Sequence, residues 1–251
     1  MVFDAYGDSK NPTLVLLHGA AALDTFAHQY DALTQRFYVL VPHLPGAGEA
    51  AAEAYNPQET TDALANWIAS LGVGKVYLMG HSVGGQLAVK LVCEHEELFC
   101  RAVFLSAWLI SSEKSVKNLS NLARLSYGAI KNASLLRMQA KYWGLTPEQA
   151  EKLVAYSQKI KKNTYVGFYA NRILLKNLPG YPCVKIPMLA MCAKGETAEM
   201  KASLDALGKQ NTNCLTVVFP QGSHDFVLRN DSLLNPMLMD FLTATEPRVY
   251  C

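Results

Sequence analysis

Apolar residues arrive along this chain in short, nearly uninterrupted runs: Leu14–Leu17, Tyr38–Val41, Val76–Met79, Ala102–Leu105, Met188–Cys192 and Leu215–Phe219. Runs of this length without apolar–polar alternation predict strands covered on both faces. Between them the period changes. Leu64, Trp67, Ile68 and Leu71 fall at i, i+3, i+4 and i+7, the spacing of one helix face. Asn56 supplies a cap, Pro57 the first helical position, and Gly72 closes the helix. Strands alternating with helices predict an α/β fold, a mostly parallel central sheet with helices on both faces.

The alternation stops between residues 112 and 180. This stretch has helical spacings only, as in Leu119, Leu122, Ala123 and Ser126, and again from Ala150 to Ile160. It predicts a helical cap insertion over the strand ends, with residues 1–111 and 181–251 forming the core. Charge sharpens that division. The chain's net charge is +2, yet residues 112–180 hold twelve Lys/Arg against three Asp/Glu. Such a cap is either a solvated helical surface or an attractor for anionic substrates and acidic surfaces. Its aromatic residues follow no nucleic-acid recognition pattern, so no nucleic-acid partner is expected.

At 251 residues and half apolar, the chain can bury one large core, and neither a disordered nor a fibrous class fits. The first ten residues include Asp4, Gly7 and Asp8 and have no basic stretch followed by an apolar one. No apolar run approaches the ~18 residues of a membrane-spanning helix. The expectation is therefore a cytoplasmic protein without stable membrane insertion. Six cysteines, Cys93, Cys100, Cys183, Cys192, Cys214 and Cys251, include no C-x-x-C pair and no histidine at zinc spacing. Reduced thiols and no metal are expected.

The candidate chemistry begins at Gly80-His81-Ser82-Val83-Gly84-Gly85, between the run Val76–Met79 and a helix-like stretch from Gln86 to Glu94. A serine between glycines at a strand-to-helix junction is the pattern of a nucleophile elbow. The flanking positions must lack side chains so that strand and helix can close around a strained serine. The helix N-terminus then directs unpaired N–H groups at charge developing beside the hydroxyl.

Two further stretches complete a pattern. Leu14-Val15-Leu16-Leu17-His18-Gly19-Ala20 pairs a strand with a His-Gly loop, and Val39-Leu40-Val41-Pro42-His43-Leu44-Pro45-Gly46-Ala47-Gly48 pairs the next with a proline-glycine loop. Gly222-Ser223-His224 follows the last strand. With these, the chain resembles the α/β-hydrolase superfamily over nearly its whole length, in its serine esterase and lipase-like branch with a small helical cap. The resemblance implies Ser82 as nucleophile and His224 as base, in the chain order serine, acid, histidine. It implies an oxyanion hole from the backbone N–H groups of Ala20 and Val83. His18 and His81 would hold loops. His43 stands where relatives carry an aspartate, and His28 and His95 have no implied role.

The acid departs from the family pattern. Lys194-Gly195-Glu196-Thr197-Ala198-Glu199 places Ala198 where relatives have an aspartate. Glu196 is the favoured acid, with Glu199 or an acid elsewhere still open; the alternative position after the strand Ala102–Leu105 offers only Ser106, Ala107 and Trp108. Trp108, Tyr127, Tyr142, Trp143, Tyr165, Phe168 and Tyr169 are candidates to line a pocket under the cap, with Phe226 as a further wall. The resemblance implies a cofactor-free serine hydrolase cleaving a small ester, thioester or lactone through an acyl-enzyme. The alternatives are a C–C bond hydrolase on the same scaffold and a weakly active ligand-binding sensor without a proper acid. A small ester-like molecule is the expected partner, and the sequence leaves oligomeric state open.

Overall fold

All six apolar runs form strands in the computed structural model, which describes residues 1–244. Residues 245–251, with Cys251 and the end of the expected core segment, lie outside the described residues. The strands are β1 (Phe3–Tyr6), β2 (Thr13–Leu17), β3 (Tyr38–Pro42), β4 (Val76–His81), β5 (Phe99–Leu105), β6 (Met188–Ala193) and β7 (Cys214–Phe219). Their order across the sheet is β1-β3-β2-β4-β5-β6-β7. Only β1, at the edge, runs antiparallel. The pairings Leu17 with Gly80, His81 with Leu105, Leu105 with Met191, and Ala193 with Phe219 bring the carboxyl ends of β2, β4, β5, β6 and β7 to one rim. Ligands of parallel α/β sheets bind at such a rim.

The helices are α1 (Tyr30–Leu33), α2 (Pro57–Ser70), α3 (Val83–Glu94), α4 (Glu113–Ser126), α5 (Ala133–Tyr142), α6 (Pro147–Lys159), α7 (Lys162–Ala170), α8 (Ala198–Gln210) and α9 (Asp231–Thr243). Successive strand residues serve opposite faces. Val15, Leu17 and Leu78 pack with Leu64 of α2, Leu87 and Leu91 of α3 and Leu207 of α8. Leu14, Leu16, Val39 and Val41 pack with Leu33 of α1 and Leu234 and Leu238 of α9. Full burial of each such side chain contributes about 2 kcal/mol. At the start of α2 the Asn56 side chain accepts from the N–H groups of Gln58 and Glu59, and at its end Gly72 takes a left-handed φ of +68°.

Between β5 and β6 the chain forms α4 to α7. Helix α4 packs on α7, and α5 on α6. Lys131 draws the two pairs together, donating to the carbonyls of Ser157, Gln158 and Ile160 at the end of α6. Among the bonds that join this segment to the body, His28 Nε2 donates to Trp143 O (2.7 Å), Thr164 Oγ1 to Glu53 O (2.9 Å), and Gln149 Nε2 to Asp24 Oδ1 (3.4 Å).

Candidate active site

Ser82 sits at the junction of β4 and α3 with φ +56° and ψ −117°. Among the described non-glycine residues only Ala21, Ser82 and Ser106 have positive φ, and each follows the end of a strand at the same rim. Backbone strain concentrated there is what functional loops store. The glycines around Ser82 answer a steric demand. A Cβ on Gly80 would lie 2.2 Å from Gly84 O, and one on Gly84 would lie 2.0 Å from Leu17 O. Neither can be accommodated, because the obstacle in both cases is backbone. The Ser82 amide donates to Leu105 O (2.9 Å), fixing the turn to β5.

Three side chains meet across this rim. His224 Nε2 lies 2.9 Å from Ser82 Oγ, and His224 Nδ1 lies 2.7 Å from Glu196 Oε1. The side chain of Glu196 is almost fully buried, while that of His224 is half exposed. The second oxygen, Glu196 Oε2, accepts from Ser106 Oγ (2.9 Å) and from the Ala193 amide (2.8 Å). Close approach of the two loops depends on Gly195, whose amide donates to Gly222 O and whose missing Cβ would lie 2.6 Å from that oxygen. Glu199 points elsewhere. It accepts from Ser115 Oγ (2.7 Å) and the Ser112 amide (3.1 Å). Burial raises its carboxyl pKa, but these bonds outweigh that and hold it below the usual range.

Neutral histidines brace the loops. His18 Nε2 accepts from the Leu44 amide (3.2 Å), so Nδ1 carries the proton and donates to Gly19 O (2.8 Å). His81 Nε2 donates to the backbone carbonyl of His224 (2.9 Å), and its Nδ1 abuts Gly19. Burial pushes His18 down to about 4. Burial, then the adjacent His224, push His81 down to about 3. His43 Nδ1 accepts from the Glu49 amide, a loop contact in place of an aspartate's. The N–H groups of Ala20 and Val83 have no acceptor among the described residues, and Ala20 borders the same cavity as Ser82.

That cavity holds about 450 Å3, and residues of α5, α6 and α7 contribute to its lining. Of the aromatic candidates, Tyr142, Trp143, Tyr165 and Tyr169 line it. Trp108 instead lies under the Arg172 guanidinium, Tyr127 donates to Ile160 O, and Phe168 packs on Tyr55. Phe226 is buried against Phe219 beneath the site and forms no wall. A larger groove of about 570 Å3, bordered by His43, Glu49, Glu53 and Trp67, contains neither Ser82 nor His224. Ser106 was legible only as a small residue in a place where an acid was sought; its bond to Glu196 follows from the pairing of β5 with β6.

The model of the alpha/beta hydrolase family matches residues 14–234, a span that includes Ser82, Glu196 and His224. The chain belongs to the alpha/beta hydrolase family. Among solved members of this fold, the enol-lactonase of Burkholderia xenovorans LB400 superposes with a TM-score of 0.79 at 21% identity, covering 97% of this chain and 96% of that one. A thermophilic esterase from Thermogutta terrifontis superposes with a TM-score of 0.73 at 19% identity, covering 96% and 92%. In sequence, the chain is 22% identical over 268 residues to the 1-acylglycerol-3-phosphate O-acyltransferase of Arabidopsis thaliana, with 87% of this chain and 63% of that protein covered. The chain thus spans less than two thirds of the length of such curated relatives. As in other alpha/beta hydrolases, helices flank a mostly parallel sheet. No helix among the described residues is long and apolar enough to cross a membrane.

Proposed function

We propose that this alpha/beta hydrolase is a serine hydrolase that cleaves a small ester, thioester or lactone through an acyl-enzyme on Ser82. The observation that carries the reading is the continuous relay Ser82 Oγ, His224 and Glu196, with separations of 2.9 and 2.7 Å. His224 Nε2 accepts the Ser82 proton as Oγ attacks the carbonyl carbon. Glu196 holds the Nδ1–H tautomer and stabilises the imidazolium that forms. The tetrahedral oxyanion takes the N–H groups of Ala20 and Val83, each such donor typically supplying about 3 kcal/mol in the transition state. His224 then protonates the leaving group, and a water activated by the same imidazole hydrolyses the acyl-enzyme.

The site needs no cofactor for this sequence of steps. The contact of Glu196 with His224 counts against a ligand sensor without an acid. Residues 112–180 act as the cap, and their tyrosines and Trp143 suit an apolar or aromatic acyl group. The names of the lactonase and esterase neighbours accord with ester-type substrates. The test is covalent labelling by a fluorophosphonate, read by mass spectrometry. Adduct formation on Ser82 in folded protein is expected, with turnover of a short p-nitrophenyl ester abolished in Ser82→Ala. Folded protein that leaves Ser82 unmodified contradicts the reading. Faster turnover of a vinylogous diketone than of any ester would assign C–C cleavage instead.

A further inference from the structure

Large apolar side chains at the surface gather on the cap. Leu122 and Leu125 of α4 are 58% and 84% exposed, and Leu135 and Met138 of α5 are 43% and 65% exposed. Within each helix the pair stands at i, i+3, on one solvent-facing stripe. Exposed apolar residues scattered singly need no explanation, but grouped ones mark an interaction surface. The stripe on α5 continues at i+7 to Tyr142, which lines the Ser82 cavity with Ile130 and Gln139.

Charge selects the partner. Lys114, Lys117 and Arg124 are exposed on α4, and Lys141 is exposed on α5. None of these four forms an ion pair with a described residue. The twelve basic and three acidic residues of the cap contrast with eleven basic and eighteen acidic in the rest of the chain. A negatively charged surface would attract the cap and repel the body, orienting the molecule cap-first. The caps of two copies would repel each other. Exposed leucine and methionine between lysines is the composition of helices that lie in a lipid interface. We propose that the outer face of the cap docks on an anionic phospholipid surface, seating Leu122, Leu125, Leu135 and Met138 among the headgroups. Attachment is peripheral, and it places the mouth at Tyr142 beside the lipid. Docking stands independently of ester hydrolysis; only the delivery of a lipid-phase substrate to Ser82 rests on that reading.

The test is flotation of the full chain with vesicles of phosphatidylcholine alone and of equimolar phosphatidylcholine and phosphatidylglycerol. Recovery is expected with the anionic vesicles only, weakening as salt rises. Lys114→Gln and Lys117→Gln should each lower the partition coefficient about fivefold. The double variant Leu125→Glu/Met138→Glu should lower it more than tenfold, with folding checked by circular dichroism and thermal melting. Ser82→Ala should float like the parent, so loss of catalysis and loss of docking are separable. Equal recovery with both vesicle types, recovery with neither, or undiminished flotation of the double variant overturns the proposal. So does a lipid-free dimer that the double variant dissociates, or equally tight binding to polyglutamate, which would assign the face to a second copy or an acidic protein.

Discussion

Glu196 has its two carboxylate oxygens committed to different tasks. Ser106 Oγ and the Ala193 amide hold Oε2, which leaves Oε1 facing His224 Nδ1. Glu196→Gln keeps the volume but offers an amide whose NH2 group competes for the same contacts, releasing the imidazole from its working tautomer. Turnover should fall by about four orders of magnitude, as loss of the orienting acid does in comparable relays. Ser106→Ala removes one of two donors to Oε2, a charge-assisted bond contributing about 1.5–3 kcal/mol. Because Ser106 acts only through Glu196, it is a positioning residue: kcat should drop by roughly tenfold or more with KM unchanged. Steady-state kinetics on a short p-nitrophenyl ester measures both. Near-parental turnover in Glu196→Gln would remove Glu196 from the relay.

At the scale of elements, the site depends on how closely α3 descends onto the sheet. Gly84 is the contact point, with any Cβ 2.0 Å from the Leu17 carbonyl. Gly84→Ala must therefore push α3 off β2 and disturb the turn at Ser82, costing about 3 kcal/mol or more. Gly72 is the contrast, since nothing lies within 4 Å of its Cβ position and only its φ of +68° resists alanine. About 1 kcal/mol is expected there. Urea unfolding of the two variants tests the difference, and equal costs would refute the steric account. The same elements show how much the sequence discloses. Five of the six apolar runs announce buried strands because both faces are covered. The run Leu215–Phe219, expected to be buried likewise, forms the edge strand β7 with Thr216 and Val218 exposed, because it has a neighbouring strand on one side only. At the other edge β1, four residues with alternating exposure, carries no such run. Ser82 and His224 were legible from glycine spacing and chain order. The sequence favours Glu196 as the partner of His224 but leaves Glu199 open, because the contact depends on Gly195 meeting Gly222 O across two loops distant in sequence. Phe226 was misplaced for a related reason: its side chain turns toward Phe219 in the core, a direction no local pattern encodes.

Across the whole molecule, the loops at the rim are joined by imidazoles that burial keeps neutral. His18 bonds the loop after β2 to the Leu44 amide, and His81 bonds the elbow to the His224 carbonyl. Burial depresses both, His18 to about 4 and His81 to about 3. In the unfolded chain a histidine titrates near ~6.5. As pH falls below that value the unfolded state takes up protons that the folded state refuses, so the equilibrium shifts toward unfolding. The stabilisation is complete above about 6.5 and is lost progressively toward the folded-state values, at up to roughly 1.4 kcal/mol per pH unit for each histidine. Thermal melting followed from neutral pH downward should show a decline that steepens between about 6.5 and 4.5. His18→Gln, which can keep a donor to Gly19 O, should be less stable at neutral pH and show a shallower decline. Because His18 and His81 tie together the loops that carry Ala20, Ser82 and His224, fluorophosphonate labelling of Ser82 should fail over the same interval as the fold. A melting temperature constant across that interval would mean that neither imidazole is held neutral by the folded chain.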